Sequence, residues 1–216
     1  MQKILCPSMM CADYASLREE VVKLDLAGAD IFHIDVMDGK FVPNFGMGLQ
    51  DIEFIRKNTC KLVDAHLMIE DPVDYVELFS RIGVDIIYIH PEADKHPSRT
   101  LQKIKSLSKY AGIAINPGTS IETISELLNI ADYVLVMAVN PGFAGQKFID
   151  FVDRKIQRLV KLKEEYNYKL IVDGAISCEK VSTLSREGVD GFVLGTSSLF
   201  GKDKSYKEIM NYLRSI

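Results

Sequence analysis

Four cysteines are all that the 216 residues contain, and Cys6, Cys11, Cys60 and Cys178 show no C-x-x-C spacing. That excludes a disulfide framework and gives no sign of a cysteine zinc site; each sits in or beside an apolar segment, where free cysteine behaves as a small hydrophobe. An excess of basic charge is also missing. The balance is 26 − 30 = −4, with lysine and arginine spread along the chain, so nucleic acid and anionic membrane surfaces are not expected as partners. No apolar run approaches bilayer-spanning length, and MQKILCPSMM passes straight into an apolar strand without a charged lead or cleavage site. The expectation is a cytoplasmic protein. Linkers, low-complexity tracts and composition steps are lacking as well, which leaves one domain over 1–216.

What the sequence does have is alternation. Apolar segments at 3–10, 31–38, 61–69, 85–91, 112–117, 133–141, 169–176 and 191–197 read as strands buried on both faces. Stretches with apolar residues at three- and four-residue spacing follow them, such as SLREEVVKLDLA and FVDRKIQRLVKLKEEY, giving eight strands and eight helical segments. The joints LAGADIFHI, RIGVDIIYI, NIADYVLV and REGVDGFVL repeat a pattern: a helix ends, a small residue turns the chain, and an aspartate precedes a strand. Strict βα alternation implies a parallel sheet with right-handed crossovers. At about 27 residues per unit, eight units make a compact (β/α)8 TIM barrel. An open doubly wound sheet is less consistent, because no G-x-G-x-x-G turn follows the first strand.

In such a barrel the chemistry lies where strands end. Ser8, the pair His33 and Asp35, the pair Asp64 and His66, His90 with Glu92, Asn116, Asn140 and Asp173 all fall there. Residues i and i+2 of a strand share a face, so His33, Asp35 and Met37 project together, as do Asp64, His66 and Met68. A satisfied core hydrogen bond accounts for any one of these but not for their collection at one end. Two imidazoles and two carboxylates from His33, Asp35, His66 and Asp173 suit one divalent ion, Zn, Mn, Co or Fe. Glycine-rich turns at NPGFAGQ (140–146), DGA (173–175) and GTSS (195–198) suit phosphate held by backbone N–H groups. Met37, Met68 and Met137 read either as core filler or as a dry lining for the site. Asp38 is expected to brace the loop that follows it.

P-S-M-M-C-A-D at 7–13, H-I-D-V-M-D-G-K-F-V-P-N at 33–44, D-A-H-L-M-I at 64–69, H-P-E at 90–92, M-A-V-N-P-G-F-A-G-Q-K-F at 137–148 and V-D-G at 172–174 resemble the ketose-phosphate 3-epimerases over almost the whole chain. The resemblance implies a homo-oligomeric metal-dependent isomerase of a ketose phosphate. His33, Asp35, His66 and Asp173 would be the metal ligands, and Asp35 and Asp173 the acid–base pair. Ser8, His66, Gly142, Phe143, Ala144, Gly145, Gly174, Ala175, Gly195, Thr196 and Ser197 would contact substrate and phosphate. Cys11, Ala175 and Thr196 depart from the ribulose-phosphate pattern, and Cys11, H-P-E at 90–92, G-F-A-G-Q at 142–146 and G-T-S-x-L-F at 195–200 are similar to the D-allulose-6-phosphate 3-epimerases. The expected reaction is therefore interconversion of D-allulose 6-phosphate and D-fructose 6-phosphate, with D-ribulose 5-phosphate epimerisation as the alternative. Decarboxylases and aldol-type synthases on related barrels need a strand-end lysine, but this chain reads Asp35-Val36-Met37-Asp38. A silent sugar-phosphate-binding barrel would be favoured by a missing acid–base residue, and both aspartates are present.

Overall fold

The computed structural model describes residues 2–216. Eight parallel strands run β1 Ile4–Pro7, β2 Ile31–Met37, β3 Leu62–Met68, β4 Ile86–Ile89, β5 Tyr110–Ile115, β6 Tyr133–Met137, β7 Lys169–Asp173 and β8 Gly191–Leu194. Each pairs with its sequence neighbour from β2 to β8, and β8 pairs with β1. The ring closes between β1 and β2 through one parallel bridge, Ser8 to His33. The result is a single (β/α)8 TIM barrel.

The eight expected strands all form; seven are shorter than the apolar run that announced them, and β5 keeps its length but starts two residues earlier, at Tyr110. The trimmed residues become the loops at the C-terminal rim. Helices α1 (Leu17–Leu26), α2 (Leu49–Asn58), α3 (Val76–Arg81), α4 (Pro97–Ser106), α5 (Val152–Leu162), α6 (Cys178–Glu187) and α7 (Tyr206–Ser215) cover the outside. After β5 the expected helix is replaced by two 3-10 segments, Ile121–Thr123 and Ser125–Asn129. Ile121, Ile124 and Leu127 are buried at three-residue spacing, with Leu128 buried beside Leu127. A 3-10 turn keeps that spacing on one face, whereas an α-helix would rotate it away from the barrel.

Two apolar layers follow from the period-2 strands. Phe32 and Ile34 of β2, with Val63, Ala65 and Leu67 of β3, point outward into the layer beneath the helices. Ile31, Ile86, Tyr88, Leu135, Ile171 and Val193 point inward and fill the barrel. Gly112 makes room there, since a Cβ at that position would lie 2.3 Å from the Tyr88 ring.

Candidate active site

Above the apolar plug, the inward faces of β2 and β3 turn polar. His33 and His66 are fully buried, and Asp35 is nearly so. Asp35 Oδ1 lies 3.3 Å from His33 Nε2 and 3.2 Å from His66 Nδ1. Asp173 Oδ2, arriving on β7, is 3.8 Å and 4.0 Å from the same two nitrogens. The four residues each offer one ligand atom, and those atoms all lie within 4.8 Å of one another. The Ser8 hydroxyl donates to the other oxygen of Asp35 at 2.9 Å. The backbone of Asp35 is clamped too. Its carbonyl accepts from Met47 N–H at 2.9 Å. Gly46 passes so close that a Cβ there would sit 2.3 Å from the same oxygen.

The partners of this cluster are unusual for buried carboxylates. Among the described residues, Asp35, Asp64 and Asp173 form ion pairs only with histidine; no lysine or arginine reaches them. Burial pushes the Asp173 carboxyl up to about 7, and the nearby charges of Asp35 and Asp64 add to this against the pull of His33. Burial acts the same way on Asp35, but the charge and hydrogen bonds of His33 and His66 outweigh it and hold that carboxyl well below its usual range. For His33, burial opposes protonation, yet Asp64 and Asp35 raise it well above the ordinary imidazole range. His66 goes the other way: burial lowers it to about 4, with the charges of His90 and His33 adding to the effect. Two carboxylates and two imidazoles this close, without a lysine or arginine between them, fit a divalent cation: the donor set supplies ligands, and the cation would remove the clash between Asp35 and Asp173.

Over the cluster opens a cavity of about 70 Å3. Its wall includes Ser8, Asp35, Asp173, Met37, Met68 and Met137, together with Gly142, Phe143, Ala144, Gly145, Gly174, Ala175, Gly195, Thr196 and Ser197. Every expected site residue except His33 and His66 therefore faces one space. His66, expected to touch substrate as well as metal, lies beneath the wall rather than on it. The three glycine-rich turns converge as the loop pattern implied. Gly142, Gly145 and Gly174 take positive φ, and Ala175 does so at φ 53, a conformation that disfavours any side chain. Cys11 also lines this space. Asp38 stands outside it and braces its loop, accepting from the N–H groups of Lys40, Phe41 and Glu70.

Two residues that the sequence placed at strand ends without a role prove to be neighbours of the cluster. Asp64 Oδ1 meets His33 Nδ1 at 2.8 Å, leaving Nε2 to face Asp35 and Asp173. His90 Nε2 meets His66 Nε2 at 2.8 Å. The signal for Asp64 was its position two residues before His66 on the same strand face. For His90 it was only a histidine one residue beyond β4.

Against known proteins, residues 4–200 match the model of the ribulose-phosphate 3 epimerase family. The ribulose-phosphate 3-epimerase of Aquifex aeolicus is 41% identical over 203 residues, covering 93% of this chain and 91% of that protein. The ribulose-phosphate 3-epimerase of Bacillus subtilis is 39% identical over 208 residues, 95% of each. Among solved structures, the 3-keto-L-gulonate-6-phosphate decarboxylase of Vibrio cholerae superposes with TM-score 0.76 over 100% of this chain and 97% of that one, at 14% identity, a likeness of fold alone. A family match from the first strand to beyond the last, with two relatives near 40% identity over more than nine-tenths of their length, places this chain in the ribulose-phosphate 3-epimerase family, as an isomerase of the epimerase class.

Proposed function

We propose that the chain interconverts D-ribulose 5-phosphate and its C3 epimer. The observation that carries this is identity of 39–41% to two ribulose-phosphate 3-epimerases over more than nine-tenths of the chain. Inversion at C3 requires a proton taken from one face of a carbon next to a carbonyl and returned to the other face. Asp35 and Asp173 come from strands three steps apart around the ring and face one cavity. Asp35 serves as base toward one epimer, while Asp173 returns a proton from the other face; the reverse reaction exchanges the roles. Ser8 fixes the orientation of the Asp35 carboxylate. Met37, Met68 and Met137 present sulfur and methylene to the reacting carbons and exclude water. The turns at 142–145, 174–175 and 195–197 take the phosphate at the opposite side of the cavity. His33, Asp35, His66 and Asp173 would hold one divalent ion, Zn, Mn, Co or Fe, which when bound supplies positive charge beside the C2 and C3 oxygens as the proton leaves.

A second reading, D-allulose 6-phosphate as substrate, is favoured by Cys11, Ala175 and Thr196, which all line the same cavity. A six-carbon substrate puts its phosphate one carbon farther from C3, so the cradle must differ if the C3 site is fixed. The test is kcat/KM for both sugars, side by side, on metal-reconstituted protein. A preference of about tenfold or more for ribulose 5-phosphate, worth about 1.4 kcal/mol in the transition state, is expected. The reverse preference overturns the first reading in favour of the second.

A further inference from the structure

His33 and His66 are backed by unlike partners. Behind His33 stands a carboxylate, Asp64, whereas behind His66 stands a second imidazole, His90, itself fully buried. The His90 ring is pinned by Phe41, with ring centroids 4.8 Å apart, and by His66 at 5.0 Å. Its far nitrogen, Nδ1, lies 3.4 Å from Glu92 Oε2. Glu92 is anchored in turn, since its Oε1 accepts from Asn116 N–H at 3.0 Å and from the Thr119 hydroxyl. The four stand in a row, Asp35, His66, His90, Glu92, whose last step is a close charge contact rather than a formed hydrogen bond.

With both imidazoles neutral, that row is one hydrogen short. There are three gaps, and the groups at both ends are acceptors only when ionised. Two neutral imidazoles carry two hydrogens, so one gap in the row lacks a proton. If a cation fills the gap between Asp35 and His66, the count closes. His66 then gives its Nε2–H to His90 Nε2, and His90 gives its Nδ1–H to Glu92. The arrangement also works in reverse. Glu92 asks for the hydrogen on His90 Nδ1, which makes His90 Nε2 an acceptor, which puts the His66 hydrogen on Nε2 and leaves the Nδ1 lone pair facing Asp35 and Asp173.

We infer that His90 and Glu92 form a relay of positioning residues that presents the His66 Nδ1 lone pair to the metal, a role served for His33 by Asp64 alone. The inference rests on the reading of the four-residue cluster as a metal site, and it concerns residues outside that cluster. Partners that orient a ligating histidine are worth about 10- to 100-fold in metal affinity.

The experiment is titration of the metal-free full chain with Zn2+ against a chromophoric chelator, for the parent and for His90→Phe, His90→Gln and Glu92→Gln. Phenylalanine keeps the packing against Phe41 but can accept nothing, so His90→Phe should bind Zn2+ about 10- to 100-fold more weakly. Glutamine offers an acceptor oxygen to His66, so His90→Gln should recover much of that loss. Glu92→Gln, at the partly exposed rim, should weaken binding in the same direction by less. In parallel, the long-range 1H–15N spectrum of the zinc-loaded parent should show His90 protonated at Nδ1 and bare at Nε2. A parent that takes no Zn2+ removes the metal site itself. A parent that binds Zn2+ while His90→Phe and Glu92→Gln bind it equally well, or whose His90 carries its hydrogen on Nε2, overturns the relay and leaves the metal site standing.

Discussion

Aspartates stand at both ends of this barrel, and their company differs. At the N-terminal end, Asp30, Asp85, Asp132 and Asp190 precede the even strands and accept the N–H groups of Leu5, Val63, Ala111 and Leu170 on the odd ones, at 2.8 to 2.9 Å. Each also meets a cation. Arg214 lies 2.8 Å from Asp30, Arg56 2.8 Å from Asp85, Lys105 2.7 Å from Asp132, and Lys163 closes on Asp190. These four are the aspartates of the repeated helix–turn–strand joints. At the C-terminal end, Asp35, Asp64 and Asp173 have only imidazoles for ion-pair partners among the described residues. One residue type thus does two jobs. Where backbone N–H and a lysine or arginine satisfy it, aspartate ties neighbouring strands together. Where that satisfaction is withheld, it is available to move protons and hold an ion.

Exchanging carboxylate for amide should separate the two ends. At the C-terminal rim, Asp35→Asn and Asp173→Asn should each lower kcat by about 100-fold or more, the range for loss of a general acid or base. Circular dichroism and melting of the metal-free protein should show the fold kept. Retention of more than a few percent of turnover in either variant would sink the two-carboxylate scheme. At the N-terminal end, Asp190→Asn should leave kcat per folded molecule unchanged while destabilising the fold by about 1–3 kcal/mol, because Lys163 and the Leu170 N–H lose a charged acceptor in a buried setting. Urea denaturation reads that loss. The more exposed Asp132–Lys105 pair should show less in the same assay.

Proton release on metal binding gives a smaller but sharper contrast. Without a cation, Asp173 holds its proton up to about pH 7, and His33, raised well above the ordinary imidazole range by Asp64 and Asp35 against burial, holds one too. An entering ion must displace them, so affinity should fall as pH falls, and more steeply below about pH 7, where the Asp173 proton is added to that of His33. Calorimetry in two buffers of different protonation enthalpy counts the protons. A pH-independent affinity between 5 and 8 would contradict the assignment. The smallest effect is expected at Ala175→Gly, which relieves a left-handed alanine and should stabilise the fold by up to about 1 kcal/mol in thermal melts.

Much of this was legible in the chain. Strands buried on both faces write continuous apolar runs, so all eight could be read, and the i, i+2 pairs in β2 and β3 gave the inward face of the site. The aspartates of the joints were visible as a repeat, though not as strand ties, because their partners lie across the barrel wall and, for Asp30, on the last helix. The helix expected after β5 is replaced by 3-10 turns at Ile121–Thr123 and Ser125–Asn129. His90 escaped assignment because its partner His66 is on another strand, 24 positions away, and only the barrel's register brings the two rings together. The substrate was the least legible feature. Three loop residues pointed to a hexulose phosphate, while similarity over the whole chain points to ribulose phosphate.

The most direct test of the account is epimerisation of D-ribulose 5-phosphate by the metal-loaded protein in D2O, followed by NMR at C3. Product carrying deuterium at C3 is expected, because the returning proton comes from a carboxylate that exchanges with solvent. Product that keeps its original hydrogen at C3 would contradict proton transfer through Asp35 and Asp173, and absence of product would contradict the proposed substrate.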